Sequence, residues 1–80
     1  MIYLQKLSLH DKSMVTAKVT KQGTIINYGS CLEIESFNLE SVQAEADWYK
    51  DHQNYLETTK EIFDTHYIET VDKLNEISKL

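Results

Sequence analysis

The side chains best suited to chemistry in this sequence are three histidines and one cysteine: His10, His52, His66 and Cys31. Helical zinc sites and di-iron sites in bundles need ligands one turn apart, as His-x-x-x-His or Glu-x-x-His. Neither spacing occurs. Asp64 and His66 are two residues apart, and such a pair does not share a helical face. Cys31 would need a histidine brought beside it by the fold to act as a nucleophile. A lone cysteine between Ser30 and Leu32 is more simply a small apolar side chain. No serine sits in a Gly-x-Ser-x-Gly elbow. Gly23 and Gly29, the only glycines, are spaced as hairpin turns and not as a phosphate cradle. The carboxylates are spread along the second half of the chain without a matched acid–base pair. The expectation is a protein that is not an enzyme and has no metal and no cofactor.

Two sets of residues remain that could meet a partner. The first is acidic. Glu57, Glu61 and Asp64 are expected on one face of a second helix, with Glu69, Asp72 and Glu76 on a neighbouring strip, and Asp47 and Asp51 form an i,i+4 pair on a first helix. The second is aromatic: Trp48, Tyr49, Tyr55, Phe63 and Tyr67. Tyr49 and Phe63 belong to a core series, whereas Trp48 and Tyr55 lie seven apart on an adjacent face. Solvated helix faces and ordinary core packing are the plainer accounts of both sets. The functional account is a surface shaped for a basic groove and anchored by exposed aromatic rings, which are frequent interface hot spots. Its candidate partner-binding residues are Asp47, Trp48, Asp51, Tyr55, Glu57, Glu61 and Asp64.

Helices must position most of these residues. From Phe37 onward there is neither glycine nor proline. Asn38 is the expected N-cap, Phe37 and Val42 a hydrophobic staple around it, and Glu40 an acid favoured by the helix dipole. Val42, Tyr49, Leu56, Phe63, Thr70 and Ile77 recur every seven residues. The partner series Ala46, Gln53, Lys60, Tyr67 and Leu74 is polar in its middle. A break there is supplied by Thr58 and Glu61, which have capping-box spacing. The spacing predicts helices over 39–56 and 59–79, folded back as a hairpin. The alternative is one long helix that pairs with a second chain.

The first part of the chain reads as strands. Met1 to Leu9 carries Met1, Tyr3, Leu7 and Leu9 on one face, and His10 to Ser13 is a polar turn. Met14 to Lys21 alternates as a half-buried strand. Gln22-Gly23 and Gly29-Ser30 are turns around a third strand, Thr24 to Tyr28. Cys31 to Glu35 is a short fourth strand with Leu32 and Ile34 inward and Glu33 and Glu35 outward. Short links favour an antiparallel meander of three or four strands. Strands followed by helices make an α+β fold, with both helices expected on one face of the sheet. The chain reads as one domain, 1–80, with the meander over 1–36 and an acidic helical hairpin over 38–80.

Charge refines the function class. Eight lysines and no arginine stand against thirteen acids, for a net charge of −5. Residues 1–30 hold Lys6, Lys12, Lys18 and Lys21 against Asp11 alone, so a mildly basic sheet joins an acidic helical part. One cysteine allows no internal disulfide and fits a reducing, cytoplasmic setting. The N-terminal residues turn polar too soon for a signal peptide, and no run is long enough to span a membrane.

A small, acidic, motif-free chain resembles in kind the phage-encoded inhibitors of host enzymes and anti-defence proteins. The stretch from Met14 to Trp48, a hairpin, a further strand and Phe37-x-x-x-Ser41 entering a helix with Trp48, is similar in outline to the three-stranded arm-binding domains of phage integrases. On that resemblance Lys18 and Lys21, beside Thr16, Thr20 and Asn27, would face DNA. The missing arginine and the acidic helices oppose such contact. The expected function is therefore a protein-interaction module acting on a larger protein with a basic surface, such as a nucleic-acid-processing enzyme, in part by mimicking nucleic acid. A monomer is favoured. Homodimerisation through the helices ranks second and DNA binding by the lysine-bearing sheet third.

Overall fold

Four strands come first, each ended by residues that favour turns. The structure, a computed structural model, describes residues 1–78. Strands β1 (Ile2–Leu7), β2 (Met14–Thr20), β3 (Gly23–Asn27) and β4 (Leu32–Glu35) are followed by α1 (Val42–Gln53), β5 (Leu56–Thr58) and α2 (Lys60–Ser78). The sheet order is β4-β3-β2-β1-β5, and every pair is antiparallel. The α+β class, the meander and the two helices after it are as the sequence predicts.

Local chemistry fixes the turns. After β1, Asp11 accepts hydrogen bonds from the Ser13 amide at 3.0 Å and the Ser13 hydroxyl at 2.7 Å, and Lys12 adopts a φ of 62°. Thr20 pairs with Gly23, so Lys21 and Gln22 form the tight turn between β2 and β3. Gly23 has a φ of +144°, and a Cβ there would meet the Glu35 carbonyl oxygen at 2.6 Å. Both conditions demand glycine. Between β3 and β4, the Tyr28 amide donates to the Cys31 carbonyl at 3.0 Å, and Asn27 Oδ1 accepts from the Gly29 amide at 2.8 Å.

The helical part departs from the expected hairpin in two ways. First, α1 ends at Gln53. Asn54 takes the left-handed conformation (φ 61°, ψ 28°) as its C-cap. The chain then extends as β5, which pairs with β1 through Tyr3↔Thr58, Leu4↔Glu57 and Gln5↔Leu56. Leu56 is therefore no member of a helical core series and is 68% exposed. The long-helix alternative fails for the same reason, since the chain bends at Asn54. The second predicted helix starts at Lys60, after the Thr59 hydroxyl accepts from the Ile62 amide; its predicted end at Lys79 lies outside the described residues. At the front, the helix begins at Val42 and not at residue 39. Ser41 is the N-cap in place of Asn38 and accepts from the Ala44 amide at 3.1 Å.

Second, the helices lie on opposite faces. Residues paired across strands point the same way, and neighbours along a strand point opposite ways. One face carries Ile2, Leu4, Val15, Ala17, Val19 and Ile26, and these form a single apolar core with Ala46, Tyr49 and Tyr55. This is the α1 face. The other face carries Tyr3, Thr16 and Asn27, which meet α2 through Phe63, His66 and Thr70. The molecule is a three-layer arrangement, helix on sheet on helix. Between the helices the chain runs along the sheet edge as β5, and α2 then packs on the face opposite α1.

This layering explains why β2 is buried on both sides, with Val15, Thr16, Ala17 and Val19 all inside. The α1 side is apolar. The α2 side is polar: Thr16 Oγ1 lies 2.7 Å from His66 Nδ1, and the Thr70 hydroxyl is 2.9 Å from both Asn27 Oδ1 and the His66 carbonyl, donating to one at a time. Asn27 Nδ2 is the one buried side-chain polar atom without a partner among the described residues. On β1, Leu4 is the buried core residue, on the face opposite the predicted one.

Candidate partner-binding cleft

Helix α1 covers β1 and β2 and buries Ile26 of β3, and leaves β4 open on that face. Between them runs a cleft of about 400 Å³. One wall is α1, with Glu45, Trp48, Tyr49 and Gln53; the other is Ile26, Tyr28 and Glu35; Asn38 and Leu39 close one end, and Lys6 and Tyr55 the other.

Each wall is held by nearby chemistry. Glu45 is only 4% exposed, and its Oε1 accepts from the backbone amides of Asn38 and Leu39, which pins the loop before α1. Trp48 stacks on His52 at 5.0 Å and meets Tyr49 edge-on at 5.2 Å. Tyr49 meets Tyr55 edge-on at 5.8 Å. Trp48 is still 40% exposed. The Lys6 ammonium sits 4.5 Å from the Tyr55 ring centre and donates to the Gln53 carbonyl at 3.2 Å. The Tyr28 hydroxyl donates to Glu33 at 3.3 Å. Burial pushes the Tyr55 phenol well above its ordinary value, and burial, with Glu33 beside it, raises Tyr28. Both phenols are neutral donors, so the cleft offers aromatic faces, hydroxyl groups and rim carboxylates.

The structure divides the residues the sequence singles out. Trp48 lines the cleft, exposed. Tyr55 also lines it but is buried and belongs to the core. Asp47 and Asp51 are exposed on α1. Glu57 is on β5 and not on a helix, and it lies on the α1 face, while Glu61 and Asp64 are on α2 behind the sheet. The expected acid face of Glu57, Glu61 and Asp64 is not formed. Lysines also interleave the acids: Lys50 lies 3.4 Å from Glu57 and 3.9 Å from Asp47, and Lys60 lies 2.6 Å from Asp64. Exposed pairs of this kind hold little energy but mute the field.

Sequence reasoning missed Lys6, Tyr28, Glu35 and Glu45 in this role. The alternation of β4 was the available signal, since it puts Glu33 and Glu35 on the face shared with Ile26 and Tyr28. Of the two residues expected inward, Leu32 is half-buried but Ile34 is 78% exposed, while Glu33 and Glu35 are exposed as expected.

Other chemistry is sparse. His10 and Cys31 do line one shallow depression with Asp11, Tyr28 and Glu33, but no hydrogen bond joins them, and Cys31 is exposed. Among the described residues no three His, Cys, Asp or Glu side chains could hold a metal ion together. No described helix is long and apolar enough to cross a membrane. The basic residues expected on an open sheet are scattered: Lys6 is under α1, Lys18 faces the α2 side, and Lys12 and Lys21 sit in turns at opposite ends of β2. Comparison with known proteins finds no matching family model, no matching curated protein and no matching solved structure.

Proposed function

We propose that this chain is a protein-interaction module without catalytic activity, which binds a larger protein through the cleft beside α1 and inhibits or modulates it. The supporting observation is the cleft itself: an aromatic-walled groove with Trp48 40% exposed at its mouth and Glu35 on its rim. Trp and Tyr provide most of the binding energy of many interfaces when they fill a pocket on the partner. The net charge of −5 favours a partner with a basic surface and speeds encounter with it. Enzymes that process nucleic acid have such surfaces, and small size with excess acid fits the phage-encoded inhibitors that act on them. The interleaved lysines shift the weight of this reading from a phosphate-like row of acids to the aromatic cleft.

Affinity capture from a bacterial lysate, with mass spectrometry, tests the reading. Wild-type protein should retain one partner specifically. Trp48→Ala should lose it while keeping a folded circular dichroism spectrum, because Trp48 is 40% exposed and lies outside the core cluster. Exchanging Glu57, Glu61 and Asp64 for Gln, Gln and Asn should have the smaller effect. A partner that Trp48→Ala retains in full would sink the cleft as the contact surface.

A further inference from the structure

The sheet has two edges, and they are not alike. β5 is three residues long, sits between the two helices in sequence, and has Glu57 tied to Lys50. β4 is free along its outer side. Its backbone pattern follows from the turn. The Tyr28 amide bonds to Cys31, and hydrogen-bonded and non-bonded pairs alternate along an antiparallel ladder. Glu33 and Glu35 therefore bond inward to Ile26 and Thr24, while the amides and carbonyls of Leu32 and Ile34 point outward. Edges are commonly blunted by short length, by charged side chains, by proline or by a bulge; β4 is four residues long and carries Glu33 and Glu35, which repel another acidic edge but not a basic one. β4 has neither proline nor lysine, and its register with β3 is unbroken.

Its side chains sort by face. Glu33 and Glu35 stand on the cleft side, in line with Tyr28 and opposite Trp48. Ile34, 78% exposed, and Leu32 stand on the α2 side, next to half-buried Ile25. The cleft already holds one cation on an aromatic ring, the ammonium of Lys6 over Tyr55. Trp48, 40% exposed and stacked on His52 on one face, and half-buried Tyr28 line the same cleft and can receive another.

On the reading that the chain is an interaction module, we infer that β4 is the docking edge and that its occupant is an extended segment of a partner protein with alternating basic and β-branched residues, added as a sixth strand. Its basic side chains lie along Glu33, Glu35 and the aromatic wall. Its β-branched side chains cover Ile34 and Leu32. The backbone of Leu32 and Ile34 supplies the hydrogen bonds, which is the usual mode of strand addition. A second copy of this chain does not fit. Pairing β4 with itself would set Glu33 and Glu35 of both copies on one face, and like charges directly opposite destabilise a ladder.

The test uses a defined probe, a cyclised hairpin peptide with one strand of alternating lysine and valine, so that little ordering entropy opposes binding. Amide exchange and chemical shifts are followed by NMR. The amides of Leu32 and Ile34 should slow at saturating peptide, and the Trp48 indole should shift. A matching glutamate–valine hairpin should bind at least about tenfold more weakly, and Glu33→Lys with Glu35→Lys should reverse that order. Ile34→Pro removes an outward amide without touching the inward ladder and should abolish slowing. N-methylating the peptide strand does the same with wild-type protein, so the result does not hinge on that variant folding. Unchanged exchange at Leu32 and Ile34 at saturating peptide overturns the docking edge. So does a wild-type dimer in sedimentation whose interface protects the same two amides. If lysate capture succeeds through Trp48 while both amides stay unprotected, the module survives and this edge does not.

Discussion

His66 is the residue with the most pH-dependent setting. Burial holds its imidazole below the ordinary value of 6.5, with Glu69 opposing and Lys73 reinforcing the shift. The folded state therefore prefers the neutral ring, whose Nδ1 meets Thr16. The unfolded chain takes up a proton at higher pH than the folded one. Stability is complete above about pH 6.5 and is lost as the pH falls through the window just below it. Urea midpoints should rise between about pH 5 and 7.5 in the wild type, and the rise should be shallower in His66→Asn. Equal slopes would show that His66 does not report on folding. Trp48 and Tyr49 make a contrasting pair: they are adjacent in sequence, one exposed on the cleft and one within the core. Periodicity assigned Tyr49 and Phe63 correctly to the interior, but no period could say that they face opposite sides of a sheet.

At the scale of elements, the meander was legible because turn chemistry is local. Asp11 and Gly29 set their bends with neighbours only two residues away. The helical part was less legible. Val42, Tyr49, Leu56 and Phe63 obey a seven-residue spacing, yet Leu56 is strand. A three-residue strand exists only because β1 offers an unpaired edge, a partner more than fifty residues distant that no local pattern contains. The cap at Asn54 decides the outcome. A left-handed residue suits glycine best and asparagine next. Asn54→Gly should be close to neutral, whereas Asn54→Ala should cost about 1 kcal/mol, read as a lower thermal midpoint. If Asn54→Ala were as stable as Asn54→Gly, the bend would be imposed by packing and not by the cap. The cleft was the least legible feature, because Glu45 and Tyr28 acquire their places from loop contacts and from register.

At the scale of the whole molecule, charge and cover work together. Both faces of the central strands carry a helix, so there is no bare sheet for a nucleic-acid groove. The four lysines of residues 1–30 are split among two faces and two turns. In a gel at physiological salt the protein should shift neither DNA nor RNA. A shift that weakens steeply as salt rises would count against a protein partner and restore the sheet as a phosphate-binding surface.

The pairing of β5 with β1 also orders events in time. The Thr58 hydroxyl donates to Gln5 at 2.6 Å across 53 residues of chain, so β1 waits for a strand that follows it by about fifty residues. Until then β1 is itself a bare edge, with Tyr3 and Gln5 uncovered on the side that α2 later occupies. Long-range closure of this kind slows folding and leaves pairing groups open to other chains. Release of nascent chains before Leu56 should yield a meander with two unguarded edges that associates with itself. Light scattering of a 1–54 fragment beside the full chain would register the difference, and a fragment that stays monomeric would mean that β1 and β4 are protected without β5.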